Sequence, residues 1–459
     1  MTDLLFRGGT ILTPEGPVDD DLRVTNGLVE GIGPGVATEV VDVTGLWILP
    51  GGVDAHVHSR DPGFPDKEDF GSLTEAAAAG GITTVVDMPN TIPAVDSGSV
   101  FAAKAETAAS RALVDFGLWG VVRSTSTPDQ LQGLAAAGAI GFKAFLGYAF
   151  HRGRSQVIQT FQLDDPELEA PPDYGTIVRL APVIAALGLP LAVHCEDLSV
   201  LAEFARPLGN YADALASRPA AAEAVAIAAL AAVAESTGLR LQVVHLSSAA
   251  GLRVAEAFPA VVLETCPQYL WFTEADYDLH GPVMKMYPLV RGAGDREALR
   301  RALHSGRISR VGTDHAPHTD AEKLGVSLQD AAAGAPGIQT LYLSCLELAR
   351  QLGDGAMAAR WVSENPAREL GIYPRKGALQ AGSDADLVLV DPAGETLIRA
   401  ADMRSKQTHG LFEGARFSFA LHGTYLRGRP VGEQPGRLVK PTPQNQGHLP
   451  GSGPIQGLQ

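Results

Sequence analysis

The sequence predicts an α/β protein: a (β/α)8 barrel of the TIM type, with a small β-sandwich domain built from both chain ends. Three observations predict it. Eight short apolar, strand-like runs alternate with helical stretches over roughly 260 residues, the usual extent of such a barrel. Turn-punctuated β-like runs fill residues 1–52 and return over residues 374–440. Metal-ligand residue types, mostly histidine, recur at the ends of the apolar runs.

In chain order, Leu4 to Arg7, Thr10 to Leu12, Leu22 to Val24 and Val40 to Val43 read as strands. Gly8-Gly9, Asn26-Gly27 and Pro34-Gly35 read as the turns between them. Such strands cannot bury both faces alone, so the late runs at 385–390, 417–421 and 424–426 are expected to pair with them. Between the two ends, residues 53–373 are expected to form the barrel. Its strand candidates are 53–58, 83–88, 115–122, 139–146, 189–194, 241–246, 261–266 and 308–314. Amphipathic or alanine-rich stretches at 70–79, 131–137, 220–234 and 295–303 separate most of them. A doubly wound open sheet is the alternative, but no Gly-x-Gly-x-x-Gly follows an early strand, so the barrel is favoured. Residues 151–173, polar and bearing Pro166, Pro171 and Pro172, read as a lid or as a disordered insertion. The Pro-, Gly- and Gln-rich stretch 441–459 reads as a disordered tail.

A chain of 459 residues can bury a large core. A net charge of −16 without a basic cluster argues against a nucleic-acid partner. It does not exclude an anionic substrate, because one arginine can govern its own pocket. Cys195, Cys266 and Cys345 have no Cys-x-x-Cys spacing and are too few for a disulfide framework. The amino terminus lacks a signal-peptide pattern, and no segment is read as the ~20 apolar residues of a membrane span. The expectation is a cytoplasmic protein with no membrane partner.

The chemistry begins at His56-Val57-His58. Side chains two apart in an extended strand share a face, so both imidazoles can reach one metal ion. Lys143, His194, His245 and Asp314 fall within or at the ends of later strand candidates, where a barrel gathers side chains at one mouth. Any one of them could be a core histidine bonded to a carbonyl, or a lysine reaching the rim. Their joint arrangement points instead to a metal centre. Lys143 needs its own argument, because an ammonium would be repelled there. A low dielectric and cationic neighbours lower a lysine pKa from its reference near ~10.4. The neutral amine can then add carbon dioxide, giving an anionic two-oxygen ligand able to bridge two metals.

The barrel with His56-x-His58, Lys143, His194, His245 and Asp314 resembles the binuclear cyclic amidohydrolases, namely dihydroorotases, allantoinases and hydantoinases. The resemblance covers nearly the whole chain except the tail. It implies two divalent ions, zinc by expectation. His56, His58 and Asp314 would hold one, His194 and His245 the other, and carboxylated Lys143 would bridge them together with a hydroxide. Asp314 would be the catalytic residue, moving a proton from the attacking hydroxide to the departing amide nitrogen. A small cyclic amide is the implied partner, and a homo-oligomer, dimer or tetramer, is expected.

The substrate motifs divide. Arg60, Asn90 and His318 resemble the dihydroorotase set that holds a substrate carboxylate, a task suited to a guanidinium. Tyr287 stands in the segment that recognises the ring amide, where the family has a small polar residue followed by Pro-Pro. Residues 141–145, 216–219, 244–248 and 264–270 resemble allantoinases and hydantoinases. The main expectation is the reversible dihydroorotase reaction between dihydroorotate and N-carbamoyl-aspartate. The alternative is allantoinase- or hydantoinase/dihydropyrimidinase-type opening of a neutral ureide or imide. A silent family scaffold would have lost ligands, and none is missing. A mononuclear deaminase would leave Lys143 without a role.

Overall fold

Eight parallel strands lie side by side in sequence order: β1 (Gly52–Val57), β2 (Ile82–Asp87), β3 (Asp115–Val122), β4 (Gly141–Phe145), β5 (Leu191–His194), β6 (Leu241–Val243), β7 (Val262–Thr265) and β8 (Arg310–Val311). The computed structural model describes residues 2–13, 16–160 and 165–442. The expected tail therefore lies outside the described residues from position 443 onward. The first and last strands meet across the seam. Val57 bridges His315, and the His58 N–H donates to the His315 carbonyl at 2.8 Å. Nearly every residue of these strands is buried, which is why they read as unbroken apolar runs rather than as alternating ones.

Several strands are shorter than expected. β6 stops at Val243 and β8 at Val311, so His245 and Asp314 lie just beyond them. Both take left-handed backbone conformations, with φ of 44° and 51°. A non-glycine residue held there carries local strain of order 1–3 kcal/mol and persists only when its surroundings fix it.

Both chain ends build one further sheet. Strands Thr2–Thr13, Gly16–Thr25, Leu28–Ile32, Ala37–Asp42 and Trp47–Pro50 are joined by Leu387–Asp391, Ala420–Leu426 and Arg429–Pro430. Leu387–Asp391 runs antiparallel to Trp47–Pro50, with Val388 opposite Leu49. Phe6, Ile11, Leu22, Ile48, Leu387 and Leu389 share a core separate from that of the barrel. Gly8-Gly9, expected as a turn, instead lies inside the strand Thr2–Thr13. The register slips there, and Gly8 takes φ 79°, so the pair forms a bulge. The late runs are also drawn differently. Arg416–Phe417 pairs with Thr396–Leu397, while Ala420–Leu426 is one strand.

Only Gly51 separates this sheet from β1. A Cβ on it would lie 2.2 Å from the Thr83 hydroxyl oxygen, so the close approach needs glycine. At the same end of the barrel, the buried Lys376 ammonium bonds Asp115 of β3, lies 2.8 Å from Asp384 and reaches Asp386 at 2.6 Å. Arg427 adds a 2.6 Å contact to Asp115. These charges tie the small sheet to the barrel floor.

Two expectations are corrected outside the strands. The stretch after β4 is neither structureless nor wholly open: Ala149–His151, Gln156–Ile158 and Leu168–Glu169 form a three-stranded flap, with 161–164 outside the described residues. The run Tyr211–Thr237 is long and apolar enough to span a membrane, contrary to the sequence reading. Here it is two helices, Tyr211–Ser217 and Ala220–Thr237, parted at Arg218-Pro219, with Ala226, Ile227 and Leu230 in the barrel's outer core.

Lys376→Met should leave Asp115, Asp384 and Asp386 buried against one another without their ammonium. Removing one partner of a buried ion pair costs about 3–5 kcal/mol. A marked fall in thermal unfolding temperature checks this, and unchanged stability would show that the cluster does not fasten the two parts.

Candidate metal centre and active site

β1 delivers His56 to the barrel axis and His58 one step beyond its end. The Nε2 atoms of His56 and His58 lie 3.3 Å and 3.1 Å from Asp314 Oδ1, which reaches them from the loop after β8. The other ring nitrogens are held from behind. His56 Nδ1 is 2.8 Å from Glu264 Oε1, and His58 Nδ1 is 2.8 Å from Asn90 Oδ1. Both partners accept, so a proton on each Nδ1 would leave the two Nε2 atoms free for a cation shared with Asp314. Glu264 is itself fixed by Arg310 Nε at 2.8 Å. Gly312 leaves room for this pair, since a Cβ there would lie 3.0 Å from Glu264 Oε2 and 3.3 Å from His56 Cβ.

A second group adjoins the first. His194 Nδ1 and His245 Nε2 are 3.0 Å apart, and the His245 ring centroid is 5.3 Å from that of His56. His194 Nε2 is backed by Glu196 Oε2 at 2.8 Å. Arg218 bonds the same carboxylate and stacks 3.5 Å from the Tyr287 ring centre. Lys143, on β4 with 0% exposure, sits 5.1 Å from the Phe145 ring. Among the described residues, Lys143 Nζ and His245 Nδ1 are buried without a hydrogen-bond partner.

The electrostatics favour neutral nitrogen donors around an anionic oxygen. Burial pushes the Lys143 ammonium down to about 8 and the His58 imidazolium down to about 4. Burial, then the facing His194 and Lys143, holds His245 far below the ordinary imidazole range. Burial alone would raise the Asp314 carboxyl, but His56 and His58 opposite hold it at about 2. Lone pairs, an ionised carboxylate and an unanswered amine make a donor set that fits divalent cations better than packing. His56, His58 and Asp314 alone already place one ligand atom each within 4.8 Å of one another.

The remaining predicted residues divide. Arg60, with φ 61°, donates from Nε to the Pro317 carbonyl at 3.2 Å and brings Nη2 within 3.2 Å of His318 Nε2. Lys67 Nζ lies 3.1 Å from the other His318 nitrogen. Asn90, expected to touch substrate, turns its carbonyl to His58 instead. Tyr287 joins Arg218 and Glu196 rather than Arg60 and His318.

The sequence reading did not assign Glu264, Glu196 or Tyr148 to the site. Glu196 carried a usable signal, standing two residues after His194. Glu264 carried none local, since its partner His56 is 208 positions away. Tyr148 follows β4 and lays its ring 4.7 Å from His194 and 5.6 Å from Phe145.

Known proteins sharpen the picture. The model of the Amidohydrolase family matches residues 47–431. An allantoinase of Rubrobacter xylanophilus is 35% identical over 453 residues, covering 95% of each chain. A dihydroorotase of Geobacter sp. is 31% identical over 448 residues, covering 94% of this chain and 99% of its own. The L-hydantoinase (dihydropyrimidinase) structure from Arthrobacter aurescens superposes with a TM-score of 0.87 at 29% identity, covering 96% of this chain and 100% of its own.

Asn90→Ala removes the acceptor that orients His58. Loss of such a supporting partner typically lowers metal affinity about 10–100-fold. Competition for zinc against a chelator of known affinity should show a drop of that size; equal affinity would mean that Asn90 does not support a metal ligand.

Proposed function

Because this chain belongs to the amidohydrolase family and is a cyclic amide hydrolase, we propose that it opens a neutral cyclic ureide, in the manner of the allantoinases it resembles. One observation carries the choice of substrate. The groups a ring carboxylate would need are already engaged with one another: Arg60 with the Pro317 carbonyl and His318, His318 with Lys67, and Asn90 with His58. Seating a carboxylate would require these contacts to be remade. The relatives lean the same way, with an allantoinase of Deinococcus radiodurans 35% identical over 463 residues, against 31% for the Geobacter dihydroorotase. The neutral ureide therefore displaces dihydroorotate as the leading substrate.

In this reading His56, His58 and Asp314 would hold one divalent ion, and His194, His245 and Lys143 as its carbamate would supply ligands for a second. Such ions would lower the pKa of a water and polarise the ring carbonyl. The chain's own groups do the rest. Asp314, ionised and facing both β1 histidines, takes a proton from the attacking water. It returns that proton to the ring nitrogen as the C–N bond breaks, so the carboxylate ends as it began. Glu264 and Asn90 keep the His56 and His58 lone pairs turned inward. The Tyr148 ring lies 4.7 Å from that of His194. From this place over His194, its hydroxyl donates to the carbonyl oxygen as charge builds there.

Allantoin, a 5-substituted hydantoin, dihydrouracil and dihydroorotate form the deciding panel. A kcat/KM for allantoin about 100-fold or more above that for dihydroorotate is expected; the reverse order would return the enzyme to carboxylate-bearing rings. Losing one oxyanion donor costs about 10²–10³ in kcat. Tyr148→Phe should show such a fall with little change in KM or metal content, and an unchanged kcat would remove Tyr148 from the chemistry.

A further inference from the structure

We propose that Arg123, which no part of the hydrolytic scheme uses, is a positioning residue that holds Tyr148 against His194 by fastening the flap to the barrel. The role rests on the reading of Tyr148 above, although the fastening itself does not.

Arg123 is the first residue after β3, and its guanidinium joins three separate parts of the chain. Nη1 lies 2.7 Å from Asp96, on the segment after β2. Nη2 lies 2.6 Å from Glu169, on the flap's far strand. The guanidinium plane sits 3.7 Å from the Phe150 ring centre, on the flap strand that begins one residue after Tyr148. A planar fork with a stacking face can make all three contacts at once, and an ammonium cannot.

Glu169 is held further by Ser124 Oγ at 2.8 Å, Thr125 Oγ1 at 2.9 Å and the Thr125 N–H at 3.3 Å. At the flap's other turn, the Ala94 N–H donates to the Ser155 carbonyl at 2.8 Å. Behind Tyr148, Phe145, Phe150 and Val121 form a small apolar cluster of their own. A void there is lined by Tyr148, Arg123 and Glu169 among others. Packed against Phe145 and Phe150, Tyr148 is expected to leave His194 together with the flap. The flap must lift, and among the described residues Arg123 is the one tie that grips Asp96, Phe150 and Glu169 together.

Among the described residues, no hydrogen bond or ion pair links Arg123 or Glu169 to the candidate ligand nitrogens. Their loss should therefore leave metal content unchanged while loosening Tyr148. Misplacing a reacting group by about 1 Å can cost on the order of 100-fold in rate.

The test is a double-mutant cycle combined with proteolysis, on the full-length, metal-loaded enzyme. Arg123→Met should lower kcat by about 10–100-fold with a smaller change in KM, and should speed tryptic cleavage at the exposed flap residues Arg152 and Arg154. Glu169→Gln, which cuts the same tie from the flap side, should reproduce both effects if Arg123→Met folds poorly. In a Tyr148→Phe background, Arg123→Met should have little further effect on kcat, because both changes remove one contribution. Full additivity in that cycle overturns the proposal, as does unchanged cleavage of both single variants. If no cyclic ureide is turned over, the proposed reaction fails, while the cleavage rates still decide whether Arg123 fastens the flap.

Discussion

Lys143 brings an amine into the barrel at 0% exposure, where no group among the described residues accepts a hydrogen bond from it. Leaving a buried polar group unanswered costs about 1–3 kcal/mol, and more if it is charged. Its neighbours are imidazoles pushed toward neutrality and one ionised aspartate, so the surroundings resemble a set of ligands more than a set of acceptors. Under the proposed reading, addition of carbon dioxide turns the unanswered amine into an anion, and two cations complete both halves of the site. The strained backbone at His245 and Asp314 is consistent with that demand. Both side chains are aimed inward by residues just past a strand end rather than by the strand itself.

The donors are held by the half-buried amide of Asn90 and by a set of buried charges. Glu264 and Asn90 set the tautomers of His56 and His58, and Glu196 backs His194. Arg310 and Arg218 in turn neutralise the two glutamates. Such pairs add little net stability by themselves, because desolvation offsets much of the attraction. What they contribute is orientation: with Nδ1 committed, His56 and His58 have Nε2 to offer, and with Nε2 committed, His194 has Nδ1. The clamp at Lys376 does comparable work at the opposite end, holding the small sheet under the strands that carry the site.

The barrel was legible because an all-buried parallel strand is hard to mistake for anything else, and the candidate ligands stood out because they lie within or just beyond such runs. His58, His245 and Asp314 were singled out even though the strands stop short of them, since the apolar runs lead up to each. The orienting groups were not legible in the same way. Glu264 meets His56 through the tertiary fold alone, and no periodicity announces such a pair. Asn90 was noticed for a substrate role by resemblance, while its geometry turns it to His58. Gly8-Gly9 misled because glycine serves a bulge as readily as a turn. The run at Tyr211–Thr237 was passed over because Arg218-Pro219 interrupts it. Substrate preference was read from Arg60, Asn90 and His318 as a set, whereas the contacts of Arg60 with His318 and of Asn90 with His58 are visible only in three dimensions.

The central claim is that side chains from four separate stretches of the chain close around two cations with Lys143 between them. Anomalous diffraction from crystals of the zinc-loaded protein tests it most directly. The account predicts two peaks, one against His56, His58 and Asp314 and one against His194 and His245, with density for a carbamate on Lys143 Nζ joining them. A single peak, or a free Lys143 amine turned away from the metal, would contradict it.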